Sequence, residues 1–226
     1  MILRRKTEDD GTVVAMLASA LRRDISFGTL RPDQKLKIDQ LRAQYGGSNH
    51  SMRETLRLLR AEGLVEAPAQ RGYRVTSATE ADRRDIAFVR VALAETALAR
   101  ALAEGDVAWE GRVIAAHHGL RKAEAAVASS PDDLTALEWD EACRAFSTVL
   151  IDACDSPRLM DMHNKYFDQS RRFRLAQLRE GHLDFAARAA RQQGLVDAVL
   201  TRDTAAATTL IQQDIRAELE PEQRLN

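Results

Sequence analysis

The chain has 226 residues and 45% of them are apolar, so it can bury a core in one large domain or two ordinary ones and is not a disordered protein. No apolar run reaches the about 18 residues of a membrane span, and no signal-peptide stretch follows the charged start, so we expect no membrane contact and a location in the cytoplasm. The net charge of −1 conceals a basic first third. Residues 1–78 hold 14 Lys and Arg against 9 Asp and Glu, whereas residues 79–226 hold 19 Lys and Arg against 25 Asp and Glu. This division is typical of a nucleic-acid-binding domain joined to a domain that does not bind nucleic acid.

Three helices and a β-hairpin are predicted in residues 1–76. Apolar residues recur at helical or alternating spacing in Val13–Ile25, about Ile38–Tyr45, Ser48 to about Glu62, Leu64–Ala67 and Tyr73–Thr76. Ser48 is a capping residue at the start of the third helix, and Gly46-Gly47 makes a tight turn before it. The inward side chains of that helix are Met52, Leu56 and Leu59. This order predicts a winged helix-turn-helix.

Only helices are predicted in residues 77–226. Capping side chains mark four helix starts, at Thr79, Asp106, Ser130 and Ser156, and two further starts are predicted near His182 and Asp203. The six predicted helices span about 79–104, 106–129, 130–154, 156–180, 182–201 and 203–219. Short links between long helices predict an antiparallel bundle, so the fold class is mainly α.

The two cysteines fall on one predicted helix, 130–154. Cys143 and Cys154 are eleven residues apart in sequence, and at about 1.5 Å rise per residue they lie roughly 16 Å apart, too far for a disulfide bond. We expect reduced thiols that are buried as small apolar side chains.

The third predicted helix has a cationic face of the kind that docks on DNA. Arg53, Arg57 and Arg60 lie at i, i+4 and i+7, so one face can meet phosphates while the helix start reads base edges. The residues at that start are Ser48, Asn49 and His50. The amide of Asn49 can offer a donor and an acceptor to adenine. The alternative is an arginine face that is only solvated.

The hairpin after this helix supplies further cations. Arg71 and Arg74 flank its tip, and Arg71-Gly72 can reach a phosphate or the minor groove. A plain hairpin turn is the alternative. A glycine turn, a cationic helix and a basic hairpin together favour a DNA-docking surface.

Both halves of the chain resemble a known family of regulators. The N-terminal residues that carry the resemblance are Ile25–Pro32, Leu36, Ser48, Arg53–Leu56, Leu59, Glu62–Val65 and Arg71–Val75. They resemble the GntR family. The downstream residues are Asp85, Arg90, Leu93, Ala153, Pro157–Leu159, Val196–Val199, Arg202, Asp203 and Ala207. These resemble its FadR subfamily, which has an FCD-type C-terminal domain.

The resemblance implies a homodimer in which helical effector domains hold two DNA-reading heads over a palindromic operator on double-stranded DNA. A small metabolite is the effector that changes the geometry of the heads. The DNA contacts that it implies are Ser48, Asn49, His50, Arg53, Arg71 and Gly72. The family usually has arginine in place of Asn49, so the base preference at that position is expected to differ.

Many members of the subfamily hold a divalent metal with an Asp and three His in the helical bundle. The resemblance puts those positions at Cys143, Ser147, Gln192 and Asp214, and none is the residue of the family. A hydroxyl and a carboxamide are weak ligands for zinc-like ions, and a thiolate does not suit a hard ion. We therefore expect no metal or other cofactor. The remaining histidines are expected to be surface or packing residues.

A polar pocket without a metal must recognise its effector with side chains alone. We expect Cys143, Ser147, Gln192 and Asp214 to converge on that pocket, with Ser147 and Gln192 as hydrogen-bonding groups. Arg90 can neutralise an acidic group of the ligand, for example the carboxylate of an organic acid. The alternative for Arg90 is an ion pair within its own helix.

Two other functions compete with a ligand-responsive regulator, for which repression is expected. An enzyme is disfavoured because the chain has no glycine-rich phosphate loop, HExxH motif or nucleophile elbow. The acidic residues Glu138, Asp140 and Glu141 are expected to form a solvated helix face. An architectural DNA-binding dimer without an effector is the other alternative.

Overall fold

The structure, a computed structural model, describes residues 2–68 and 72–219. It divides into two compact units, one up to Asp82 and one from Arg83 onward. Both units are mainly helical, as the periodicity of the sequence predicts.

The first unit is a winged helix-turn-helix. Its described elements are α1 (Ile2–Ser26), β1 (Lys35–Leu36), α2 (Ile38–Tyr45), α3 (Asn49–Ala61), β2 (Val65–Glu66) and β3 (Tyr73–Val75). The strands form an antiparallel sheet in the order β1-β3-β2. The predicted hairpin is confirmed as β2 and β3, but β1 is absent from the prediction because two residues are too few for any periodicity. The first helix also begins earlier than the predicted Val13.

The core of this unit lies between the helices and the sheet. Its buried residues include Leu17, Leu21, Ile25, Leu41, Met52, Leu56, Leu59, Val65 and Val75. The three inward residues predicted for the third helix are fully buried, so the apolar face of α3 is confirmed. Removing this apolar area from water fixes the roll of α3 about its axis, and the opposite face is left to solvent.

The turn before α3 requires glycine at position 47. Gly47 has φ +82°, a conformation that strains any residue with a Cβ, and a Cβ there would lie 2.9 Å from Leu17 Cδ1, so the Leu17 side chain would also have to move. The predicted tight turn is confirmed.

The second unit is a bundle of helices joined by short links. In the described residues these are α4 (Glu80–Glu104), α5 (Val107–Ser129), α6 (Asp133–Val149), α7 (Pro157–Arg179), α8 (Phe185–Leu200) and α9 (Thr204–Leu219); α4 begins within the first unit. The capping predictions hold at Asp106, which accepts from the amide of Trp109, and at Ser156, which accepts from that of Leu159. Two starts differ, because Asp132 caps α6 and Asp184 caps α8.

The predicted helix 130–154 is wrong at its C-terminal end. Helix α6 ends at Val149, and a short 3-10 helix, Asp152–Cys154, follows it. Trp109 Nε1 donates to the carbonyl of Val149 at 2.8 Å, and Arg100 Nε donates to that of Cys154 at 2.9 Å. These donors come from α5 and α4, so the carbonyls at the helix end are satisfied by tertiary contacts. Cys143 and Cys154 are free and buried.

Candidate functional site

Helix α3 presents its polar face to solvent and is held firmly at both ends. Ser48 caps it in a capping box, in which its hydroxyl accepts from the amide of Ser51 at 3.0 Å and its own amide donates to Ser51 Oγ at 2.9 Å. At the other end, the guanidinium of Arg22 binds Glu62 through two hydrogen bonds of 2.8 and 2.9 Å. The helix is therefore anchored to α1 while its outer face stays open.

The exposed residues on that face are the ones expected to meet DNA, namely Asn49, His50, Arg53, Arg57 and Arg60. Arg57 is engaged in an ion pair with Glu54, and the Asn49 amide oxygen accepts from Arg42 Nη1 at 3.3 Å. Within the described ranges, Arg53 and Arg60 form no ion pair. The contact of these side chains with DNA stays a prediction.

The hairpin is less cationic than its sequence indicates. Arg74 is paired across the sheet with Glu66, at 2.6 Å, and lies 3.9 Å from Asp33. Gly72 is exposed with φ +74°, which suits a turn. Arg71 lies outside the described residues, so its predicted contact with DNA stays a prediction.

The second unit contains a cavity between its helices, with a volume of about 30 Å³. Its polar lining residues are Arg90, Cys143, Ser147, His163, Arg188, Asp214 and Glu218. Four of the five predicted effector residues are thus brought together there. The fifth, Gln192, is fully buried beside Arg188. His163, which the sequence gives no reason to place here, also faces this space.

One guanidinium, that of Arg188, links the polar groups around the cavity. Arg188 Nε donates to Glu124 at 2.7 Å, and Nη2 donates to Glu218 at 3.4 Å and to Cys143 Sγ at 3.3 Å. With its oxygen turned toward this group, the Gln192 amide accepts from Nε and Nη2 at 3.1 and 3.2 Å. Arg188 therefore connects α8 to three other helices.

Arg90 also has a partner on a distant helix. Its Nη1 donates to Glu218 at 2.7 Å and to Ser170 Oγ at 3.1 Å, so the expected alternative of an ion pair within its own helix is wrong. Burial works against ionisation of Glu218, but the charges of Arg90, Arg174 and Arg188 outweigh it and hold the pKa of this carboxyl at about 2. The carboxylate is thus charged throughout the physiological range.

Asp140 is fully buried, which contradicts the expected solvated acidic face. Its carboxylate accepts from Arg174 Nε at 2.8 Å and is paired with Arg171 as well. Its neighbour Glu141 is largely exposed, as expected. Buried charges of this kind persist only when paired, so Asp140 and Arg174 form a structural ion pair rather than a surface feature.

Sequence reasoning missed Arg188, Glu218 and Arg174. Periodicity offers one usable signal, because Arg188 lies on the same helical face as Leu195 and Val199, which are buried. A charged residue within an apolar stripe indicates a buried ionic contact. Its partner cannot be found this way, since Glu218 is 30 residues away in sequence.

Burial and the positive charges of Arg90 and Arg144 lower the pKa of His163 to about 3, from 6.5 in an unfolded chain. The unfolded chain therefore binds the extra proton between pH 6.5 and 3, and stability falls as the pH falls through that window. At pH 5 the loss due to His163 is expected to be about 2 kcal/mol relative to pH 7.

Urea unfolding at pH 7 and pH 5 measures this loss. The His163→Gln variant should lose less stability than the wild type over this interval, whereas substitution of the exposed His118 by Gln should change nothing. Glu218 does not interfere, because its contribution is lost only below about pH 4.5. An equal pH dependence in the wild type and His163→Gln would contradict the buried, neutral imidazole.

The four positions that correspond to family metal ligands do not fit a metal ion. A guanidinium lies against Cys143 and Gln192 and 4.0 Å from Asp214 Oδ1, and its charge repels a cation. Burial raises the pKa of the Cys143 thiol above its usual range, which disfavours the thiolate that metals need. Among residues 2–68 and 72–219, no three His, Cys, Asp or Glu side chains are arranged to hold a metal.

Two family models match the chain. Residues 14–75 match the model described as bacterial regulatory proteins, gntR family, and residues 85–217 match the FCD domain. The chain belongs to the GntR family, with an FCD C-terminal domain of the FadR type. This GntR regulator is thus a DNA-binding transcription regulator and not an enzyme. In its described residues, no helix is long and apolar enough to cross a membrane.

Relatives and solved structures agree with the family. The HTH-type transcriptional repressor GlaR of Escherichia coli is 36% identical over 86% of this chain and 89% of its own length. The HTH-type transcriptional regulator BphR of Paraburkholderia xenovorans is 34% identical over 88% and 80%. In fold, a GntR regulator from Rhodococcus sp. RHA1 matches with a TM-score of 0.68 at 24% identity, covering 91% of this chain and 95% of that one.

Proposed function

We propose that this GntR regulator is a repressor that binds a palindromic operator in the cytoplasm as a homodimer and responds to a small organic acid. The observation that carries the DNA-binding part is the open face of α3, where Arg53 has no ion-pair partner among the described residues. A similar relative is itself named a repressor, which supports the sign of regulation. Two heads related by two-fold symmetry would match a palindrome.

The effector part is supported by unsatisfied polar atoms around the cavity. Arg90 Nε, Arg188 Nη1, His163 Nε2 and Asp214 Oδ1 are buried without a hydrogen-bond partner among the described residues. Such atoms cost free energy unless a ligand or water satisfies them. A carboxylate supplies acceptors for the two guanidinium donors, and a hydroxyl on the same ligand supplies a donor for Asp214 Oδ1. Ser147 and Gln192 complete the proposed set.

The small size of the cavity provides the link between binding and DNA release. A volume of about 30 Å³ admits about two water molecules, less than an organic acid with several heavy atoms needs. We infer that the ligand competes with ion pairs that join helices, such as Arg90 with Glu218, and so favours a state in which those helices are displaced.

Isothermal titration calorimetry with a panel of organic acids tests the effector site. The wild type should bind one of them, and Gln192→Ala should weaken that binding at least about 5-fold, because the lost hydrogen bond involves a buried group worth about 1 kcal/mol or more. Gln193→Ala, which changes the exposed neighbour, is the matched control. Equal affinity of the wild type and Gln192→Ala would remove Gln192 from the site.

The architectural alternative is tested separately by a thermal-shift screen against metabolites. A ligand that binds the native state raises the melting temperature by mass action, so a retained effector site should give a hit. A flat response across a broad panel would favour a dimer whose helical domain has no effector.

A further inference from the structure

Three of the four positions that correspond to family metal ligands surround the guanidinium of Arg188. Its Nη2 lies 3.3 Å from Cys143 Sγ, its Nη1 lies 4.0 Å from Asp214 Oδ1, and the Gln192 amide oxygen accepts from it at 3.1 and 3.2 Å. We propose that Arg188 is the resident cation of this cavity and replaces the divalent metal ion of other family members.

The anions around Arg188 account for its position. The carboxylates of Glu124 and Glu218 accept hydrogen bonds from Arg188, and Asp214 forms an ion pair with the remaining nitrogen, Nη1. A guanidinium has five N–H donors in a planar fork, so one side chain can engage several carboxylates from different directions. A metal ion would need the same carboxylates, and it would have to enter beside a fixed positive charge.

The helices joined by Arg188 are the ones that a metal at these positions would join. Arg188 and Gln192 are four residues apart on α8, Asp214 and Glu218 are four apart on α9, and Cys143 lies on α6. Each pair therefore lies on one face of its helix. The side chain connects these faces through charge-assisted hydrogen bonds, which removes the need for a bound ion to hold the bundle together.

The Cys143 side chain fits this arrangement. Its sulfur lies 3.3 Å from Arg188 Nη2 and can accept weakly from this donor, and a zinc ion in contact with the same sulfur would lie beside a fixed positive charge. Ser147, at the fourth position, donates to the carbonyl of Arg144 at 3.0 Å. Ser147 therefore lines the cavity wall, and its hydroxyl oxygen can still accept from an effector.

The proposal is tested on the full chain without DNA or effector, so its failure is separate from that of the proposed function. The wild type, purified without chelator, should contain no stoichiometric transition metal by elemental analysis. Its melting temperature should be the same in EDTA, ZnCl2 and MnCl2. A bound metal at one per chain, or a zinc-dependent rise that EDTA reverses, would overturn the proposal.

Removal of the cation should create a site for another one. In Arg188→Ala, methylguanidinium at about 10 mM should raise the melting temperature by about 2–4 °C. It should not affect the wild type beyond sodium chloride at equal ionic strength. The matched control is Arg112→Ala, which removes an exposed guanidinium paired with Asp152.

Equal responses of Arg188→Ala, Arg112→Ala and the wild type to methylguanidinium would contradict the proposal. Should Arg188→Ala fail to fold, Arg188→Lys decides the question, because lysine keeps the charge but loses the planar fork. Zinc is expected to leave the melting temperature of Arg188→Lys unchanged, and zinc stabilisation of this variant would count against a charge that excludes metal.

Discussion

Replacement of Arg53 by alanine is expected to weaken operator binding by about 1–3 kcal/mol, or about 5- to 150-fold. Arg53 lies on the first exposed turns of α3, where a recognition helix meets base edges, and it has no ion-pair partner among the described residues to compete with DNA. Arg57, by contrast, must first leave Glu54, so its removal should cost less.

Fluorescence anisotropy measures this effect with an operator obtained by selection from random duplexes. The loss in Arg53→Ala should be large on the operator and small on an unrelated duplex if the side chain reads a base, and equal on both if it contacts phosphate. In the second case the slope of log K against log salt should fall by about 1. Arg112→Ala, in the second unit, should bind like the wild type. Unchanged binding of Arg53→Ala to every sequence would show that α3 is not the reading helix.

The Asp140→Asn substitution is expected to lower the free energy of unfolding by about 3–5 kcal/mol, since it removes one partner of a fully buried ion pair. Asparagine keeps the shape of the side chain, but the Arg174 guanidinium is left with the neutral Ser170 hydroxyl at 2.9 Å and the more distant carboxylate of Glu218 at 3.7 Å. Arg171 loses the same partner. The cost is therefore that of an uncompensated charge in a low-dielectric interior.

Urea unfolding followed by far-UV circular dichroism at pH 7 gives the comparison. The adjacent substitution Glu141→Gln is the matched control, because this side chain is 65% exposed and its loss should stay within about 0.5 kcal/mol. If Asp140→Asn and Glu141→Gln unfold at the same urea concentration, the buried pair does not stabilise the helical unit as the geometry requires.

Local patterns were sufficient for most of the helices. The apolar stripe of α3 and its Ser48 cap were predicted from residues within one or two turns of each other, and both are present. Patterns failed where a distant side chain ends or extends an element. The end of α6 depends on Trp109, which lies 40 residues away, and β1 depends on pairing with β3.

The residues expected to bind an effector also divide into those that a local pattern predicts and those that only distant contacts bring together. The i, i+4 spacing of Cys143 and Ser147 correctly put both on the cavity side of α6. It could not show that Arg188 lies among these positions, since the carboxylates hydrogen-bonded to Arg188, those of Glu218 and Glu124, are 30 and 64 residues away.

By itself, then, the amino-acid sequence determined the starts of α5 and α7 at their caps, the solvent face of α3 and the family. The helix caps and the solvent face depend on interactions between residues within a few positions of each other, so the local sequence is enough to predict them. The tertiary structure alone decided that Asp140 is buried, that Arg90 pairs with Glu218 and that the guanidinium of Arg188 lines the charged cavity. Electrostatic partners are chosen by proximity in space after the helices pack, and no local pattern encodes that choice.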